Sequence, residues 1–162
     1  MDAIIARIEF AFADVPRPPD GELLHPECSD DGDLASLYGV EEWRKLSDEA
    51  IEYEYSALAF LSPAGFRHFL PAYMRWICRH GDEKPGAAVI GSTFQALTPQ
   101  QGALAAFSLS KFSLLGAEQS SCIAAFLERF SEHPDAQEAR AYWRMRAGYL
   151  PAAAPADGEQ QA

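Results

Sequence analysis

The stretch 61-LSPAGFRHFLPAYMRWICRH-80 decides how the rest of the chain is read. Ser62 followed by Pro63 is a helix start. The serine oxygen can accept from a free amide of the first turn, and a proline at the first helical position loses no hydrogen bond and has its φ preset. Beyond it, Phe66, Phe69, Leu70, Tyr73, Trp76, Ile77 and His80 recur at helical spacing. On a wheel of 100° per residue they fall within an arc of about 120°, which predicts a central core helix over 63–80. Arg67, His68, Arg75 and Arg79 fall on the opposite side, so the basic groups are expected to face outward or toward acidic neighbours. Pro71 has no N–H to give the carbonyl of Arg67, and its ring crowds that turn, a cost of ~3 kcal/mol in an ordinary helix interior. A kink at Pro71, or two helices end to end, is the expected result.

Upstream, Ile4, Ile5, Ile8, Ala11 and Phe12 mark a first helix that 15-VPRPPDG-21 cannot continue. The acidic segment 23-LLHPECSDDGDLASLYG-39 reads as a structured loop with a short helical turn from Asp33 to Tyr38 closed by Gly39. Ser47 is the cap of the next helix, Asp48 and Glu49 favour the positive end of its dipole, and Ile51, Tyr55 and Leu58 form its expected inward stripe. Downstream, 87-AAVIGSTFQAL-97 has some strand character without a clear partner and is taken as irregular. Thr98, Pro99 and Gln101 repeat the capping signal, predicting a helix through Leu104, Phe107 and Phe112. Gly116 starts a further helix with the stripe Ile123, Phe126, Leu127 and Phe130, and Ala139, Tyr142, Trp143 and Arg146 define a last one that Gly148 ends. Unequal spacing of the three helix starts argues for a shared capping device, not a repeat array. The expectation is an all-α fold: a compact bundle of five or six helices in one domain, residues 1–148, followed by a disordered alanine- and proline-rich tail, residues 149–162.

With 162 residues, 48% of them hydrophobic and 12% aromatic, the chain can bury a sizeable core. Its net charge of −11 repels phosphate backbones and anionic lipid, which argues against nucleic acid and membrane surfaces and for a basic or neutral protein partner. No apolar run is long enough to span a bilayer, and the N-terminus lacks the basic and apolar blocks of a secretory signal. The default expectation is a cytoplasmic protein whose three cysteines are reduced thiols.

Among chemistry-bearing residues, His25 and Cys28 in "HPEC" and Cys78 and His80 in "CRH" supply the ligand types of a tetrahedral zinc site. One pair is spaced by two residues and the other by one. The competing reading makes them a loop thiol, a partly buried thiol and two hydrogen-bonded histidines. Asp30, Asp31 and Asp33 lack the spacing and terminal glutamate of a calcium loop and read as a solvated turn. Glu52 and Glu54 sit beside tyrosines. A buried Glu54 would be a candidate acid or base, but its place beside the apolar arc favours an ion pair with Arg67, Arg75 or Arg79. No Walker loop surrounds Gly91, no nucleophile elbow or HExxH is present, and Arg67, Arg75 and Arg79 make a weak nucleic-acid footprint.

The segments "AFADVPRP", "EEWRKLSDEAIEYEYSALAFLSPAGFRHFLPAYM" and "LGAEQSSCIAAFLERF", in that order, resemble a family of bacterial proteins known only as a domain of unknown function. The resemblance covers most of residues 4–146 and is most specific from Leu61 to Tyr73. It implies a small, mainly helical cytoplasmic protein in which Pro71 belongs to a built-in bend, and it brings no activity or catalytic residues. Relatives usually carry Thr-Pro where this chain has Gly116-Ala117, which bears on the strength of that cap. The functional expectation is a non-catalytic interaction module, of the adapter or immunity-like kind. The alternatives are a small zinc-dependent hydrolytic enzyme using His25, Cys28, Cys78 and His80, and a homo-oligomer closed through exposed Phe10 and Tyr53.

Overall fold

The computed structural model describes residues 2–29 and 32–148. Asp30, Asp31 and the expected tail, 149–162, lie outside the described residues. Seven α-helices are present among them: α1 (Ala3–Ala11), α2 (Asp48–Tyr53), α3 (Pro63–His80), α4 (Ala88–Leu97), α5 (Ala105–Lys111), α6 (Ala117–Arg129) and α7 (Ala136–Arg146). Short 3-10 turns at Asp20–Glu22, Gly32–Leu37, Trp43–Lys45, Ala57–Ala59 and Gly102–Leu104 connect them. The fold is all-helical and compact, with one isolated antiparallel bridge between Leu24 and Leu61.

Helix α3 is the axis of the core, and α1, α2, α4 and α5 all pack on it. It runs unbroken through Pro71, so of the two arrangements expected there the chain does not take the pair of end-to-end helices. Its start is built as the sequence indicates. Ser62 Oγ accepts from the Gly65 amide at 3.1 Å and donates to the Glu22 carbonyl at 2.7 Å, while the Ser62 amide donates to the Leu23 carbonyl at 2.7 Å. One serine therefore caps α3 and fastens the 20–24 segment to it.

Most of the polar side of α3 does not face solvent. Every residue from His68 to Ile77 is buried, because α1 and the Trp43–Lys45 turn cover the side that the wheel assigned to the basic groups. Arg75 is 8% exposed; its Nη1 donates to Glu9 Oε1 at 3.1 Å and its Nη2 to the Arg44 carbonyl at 2.9 Å. Arg44 binds the other oxygen of Glu9, and the guanidinium groups of Arg44 and Arg75 lie 4.5 and 4.9 Å from the Trp43 ring. Trp43 Nε1 donates to the Phe12 carbonyl at 3.1 Å. Arg67 is half-buried on Gln119, and Arg79 remains exposed.

Three further expectations are corrected. The 87–97 segment is helix α4, whose Val89, Ile90, Phe94 and Leu97 are buried at helical spacing: core packing outweighs the β preference of two branched residues. Thr98 closes α4 instead of opening a helix, its hydroxyl donating to the Phe94 carbonyl at 2.8 Å, and α5 begins only at Ala105. Tyr55 is 44% exposed because α2 ends at Tyr53 and the chain changes direction before the Ala57–Ala59 turn. By contrast Ser47 caps α2 through the Ala50 amide at 3.1 Å, Gln119 reaches back to the Gly116 amide at 3.2 Å, and Gly39 and Gly148 take φ of 73° and 72° at the stops assigned to them.

Because Ser62 serves two segments at once, Ser62→Ala is expected to lower unfolding free energy by about 1–2 kcal/mol, while Ser62→Thr, which keeps the oxygen, loses less than half of that. Urea denaturation of the three proteins measures the order; equal midpoints for wild type and Ser62→Ala would remove the double role.

Candidate functional site

The residue types that chemistry would use gather most densely where the 25–28 turn meets α5. The Cys28 amide donates to the His25 carbonyl at 2.9 Å, so the "HPEC" residues form a single turn and His25 and Cys28 are brought together. His25 is 6% exposed, its ring centroid 4.4 Å from that of Phe107 and its Nε2 2.9 Å from Ser110 Oγ. A serine–histidine contact invites comparison with a nucleophile and its base, and the surrounding bonds decide against it. The Glu27 amide donates to His25 Nδ1 at 3.1 Å, which leaves the proton of a neutral imidazole on Nε2. Nε2 therefore donates to Ser110, and Ser110 in turn donates to the Phe107 carbonyl at 2.7 Å. The imidazole has no lone pair directed at the serine hydroxyl, the requirement for a base that activates it.

Lys111, the last residue of α5, completes this neighbourhood. It is 4% exposed, its Nζ donating to the Ala59 carbonyl at 3.4 Å and lying 5.1 and 5.7 Å from the ring centroids of Phe107 and Phe66. Burial pushes its pKa down to about 8, the nearby Cys28 acting weakly the other way. The same burial holds the His25 pKa below its ordinary value, with Glu27 raising it and Lys111 lowering it, and it raises that of Cys28 against the pull of Lys111. Lys111 lines a cavity of about 220 Å³ together with Ser56, Ala59, Leu104, Phe107 and Ser108. Through Ser92, Gln95, Thr98 and Gln100 this cavity shares walls with a wider groove of about 630 Å³ that reaches Asp135 and Glu138 on α7 and its approach.

The other residues singled out by sequence sit apart from this cavity. Cys78 is half-buried on α3, its thiol pushed up to about 12 mainly by burial, with Arg129 opposing. His80 Nε2 is 2.8 Å from Asp48 Oδ2, and its ring packs on Trp76. His25, Cys28, Cys78 and His80 do not form one group: among the described residues no three metal-binding side chains come together. Glu54 is buried as expected, but its carboxylate accepts from the Ser36 amide at 3.0 Å, not from an arginine. The backbone carbonyl of Glu54 accepts the Tyr73 hydroxyl at 2.7 Å, and burial raises the Tyr73 pKa.

A second surface stands out for charge. Glu49, Glu52 and Tyr53 on α2 and Asp82 and Glu83 in the turn after α3 are all exposed, and Tyr53 is 78% exposed. Lys84 pairs with Glu52 at 2.6 Å, and Asp48 and Glu83 also act on it, so several carboxylates share one cation.

Residues 1–150 match the model of a family of unknown function, DUF6714. The chain belongs to that family. Comparison with curated proteins and with solved structures gives no match. As the resemblance of the 61–73 block implied, membership brings no assigned activity. No helix among the described residues is long and apolar enough to cross a membrane.

Lys111 is the element the sequence reading missed, although its position carried a signal. It follows Leu104 by seven residues and Phe107 by four, and precedes Phe112, which places an amine on an apolar stripe.

The histidines give the site a pH signature. His68 is buried, with Nδ1 3.2 Å from the Val15 carbonyl and Nε2 without a partner among the described residues, and burial lowers its pKa as it does that of His25. With both folded values below the ordinary histidine value of about 6.5, the unfolded chain binds more protons in the window beneath it. Stability is therefore complete above about pH 6.5 and falls as pH drops through the window. Urea midpoints between pH 7.5 and 5 are expected to decline, and the slope should shrink in His68→Gln; a flat profile for wild type contradicts the neutral assignment.

Proposed function

We propose that the protein is a non-catalytic interaction module, of the adapter or immunity-like kind, that engages a basic or neutral protein through the edge formed by α2 and the 81–84 turn. The observation that carries this reading is the company of Tyr53: an aromatic residue 78% exposed beside Glu49 and Glu52 on α2, with the exposed Asp82 and Glu83 in the turn that the Lys84–Glu52 pair ties to that helix. Tyrosine is enriched at interfaces because it offers apolar area and a polar tip, and a surface of one charge speeds encounter with a surface of the other.

Two features support binding over turnover. Ser110 and His25 are hydrogen-bonded in the sense opposite to nucleophile activation, and the Cys78 and Cys122 thiols are both pushed up to about 12 by burial, which keeps them protonated. Six of the ten arginines contribute little to the exposed field, since Arg17, Arg44, Arg75, Arg129, Arg140 and Arg144 are each paired with a carboxylate of the same chain.

The test is a partner recovered with the full-length protein and its affinity measured as ionic strength rises from 0.1 M to 1 M, over which the screening length falls from ~10 Å to ~3 Å. Affinity should fall by at least about tenfold, and Glu49→Lys with Glu83→Lys should reproduce that loss at low salt while leaving the urea midpoint nearly unchanged. Affinity that ignores both salt and the charge reversals would place the partner elsewhere.

A further inference from the structure

The cavity at Lys111 presents an unusual combination of groups, and it does not depend on the acidic edge. The amine is almost wholly removed from water, its hydrogen bond to Ala59 is long, and two aromatic rings flank it. None of the ion pairs among the described residues includes it. The titratable groups that act on it and its surroundings are Cys28, His25 and Glu27, all from the 25–28 turn. Cys28 is held as a thiol, and Glu27 is seen to act on His25 and Cys28. An ammonium without a counter-ion in an apolar wall is the costly form, and the free amine the cheaper one. In agreement with that geometry, a pKa of about 8 leaves roughly a tenth of the amine unprotonated at pH 7.

What faces the amine is room. The cavity of about 220 Å³ is below the ~300 Å³ at which drug-sized pockets begin, so it suits a small molecule. Its remaining polar lining, Ser56, Ser92, Gln95, Thr98, Gln100 and Ser108, consists of hydroxyls and amides, and Lys111 is the charged residue among the described lining. Those walls favour a neutral ligand with hydroxyl groups over one bearing a carboxylate.

We propose that this cavity captures a small, neutral, hydroxyl-bearing aldehyde as an imine on Lys111 Nζ. The lone pair of the free amine attacks the carbonyl carbon, forming the C–N bond as the C=O π pair moves to oxygen. A proton passes from nitrogen to that oxygen to give a carbinolamine. Loss of the hydroxyl with a second proton, as water, forms the C=N bond. No oxidant or reductant is consumed, and hydrolysis returns the aldehyde, so the site binds reversibly.

The chain has three lysines, which supplies internal controls. Lys45 and Lys84 are exposed and paired with Glu42 and Glu52. Full-length protein is treated with glycolaldehyde and cyanoborohydride, which reduces the imine to a stable hydroxyethyl amine, and labelling at each lysine is followed by peptide mass spectrometry. At neutral pH Lys111 is expected to react at least about tenfold faster than either exposed lysine, its lowered pKa, set against the raised pKa of Lys84, outweighing its lower basicity. The Lys111 rate should level off above about pH 8, and the preference should vanish in urea. The Lys111→Met protein, which keeps the apolar stem, should lose the fast label alone. Lys111 labelling equal to or slower than Lys45 in the folded wild-type chain overturns the proposal, whether or not the variant folds. Neither outcome bears on the acidic edge, so the two readings fail separately.

Discussion

A helix with no solvent face is the constraint from which the rest of the molecule follows. From His68 to Ile77, α3 is buried on every side, yet the run contains a histidine, a tyrosine, an arginine and a tryptophan. Burying a polar group without a partner costs roughly 1–3 kcal/mol, and an unpaired charge costs more. Three of these side chains therefore fix something around them. Arg75 needs Glu9, which brings α1 and the Trp43–Lys45 turn onto the helix; Tyr73 needs the Glu54 carbonyl, which sets where α2 stops; His68 needs the Val15 carbonyl, which draws in the segment after α1. The irregular first third of the chain is held in place by the polar requirements of one helix as much as by apolar packing.

The same constraint separates what was legible in the sequence from what was not. Capping is local chemistry, and Ser47, Ser62, Gly116 and Gly148 act where the sequence placed them because each decision involves residues within one turn. Thr98 shows the limit: followed by Pro99 it carries a start signal, but the same hydroxyl can bond back to the carbonyl four residues earlier, and the burial of Leu97 and Phe94 decides for the α4 stop. The wheel for α3 located its apolar arc and left the basic groups two outcomes, outward or toward acidic neighbours; Arg79 takes the first and Arg75, on Glu9, the second, a choice made by what packs there and not by the order of residues around one axis. His68 and Arg75 look like a solvent face until α1 arrives.

For the candidate site, the sequence brought His25 and Cys28 together through a single turn, and that pairing is real. It joined them to Cys78 and His80 by residue type alone, and tertiary structure gives those two other neighbours: Arg129 and Asp2 for the thiol, Asp48 and Trp76 for the imidazole. The residue that does complete the turn, Lys111, is of a type that sequence reasoning assigns to solvent. What put it inside is the register of α5, whose buried residues are Ser108 and Lys111, one turn apart, with the core residue Phe112 directly after them.

Charge bookkeeping across the whole chain ties the two surfaces together. Most of the arginines are used within the chain: Glu9 takes two, Glu128 takes two, Asp2 and Asp20 take one each, and Arg146 donates to the Phe112 and Leu115 carbonyls after α5. A chain that places its guanidinium groups inside as connectors leaves its surplus carboxylates outside, so the acidity of the α2 edge is a consequence of how the core is joined. Lys111 departs from that scheme. It is a buried cation with carbonyl and aromatic neighbours but no carboxylate partner among the described residues, and guanidinium, with its fixed fork and high pKa, would be the stronger structural choice there. An amine that can shed its proton is suited to a place where the charge has no partner, and the cavity in front of it gives that amine something to meet.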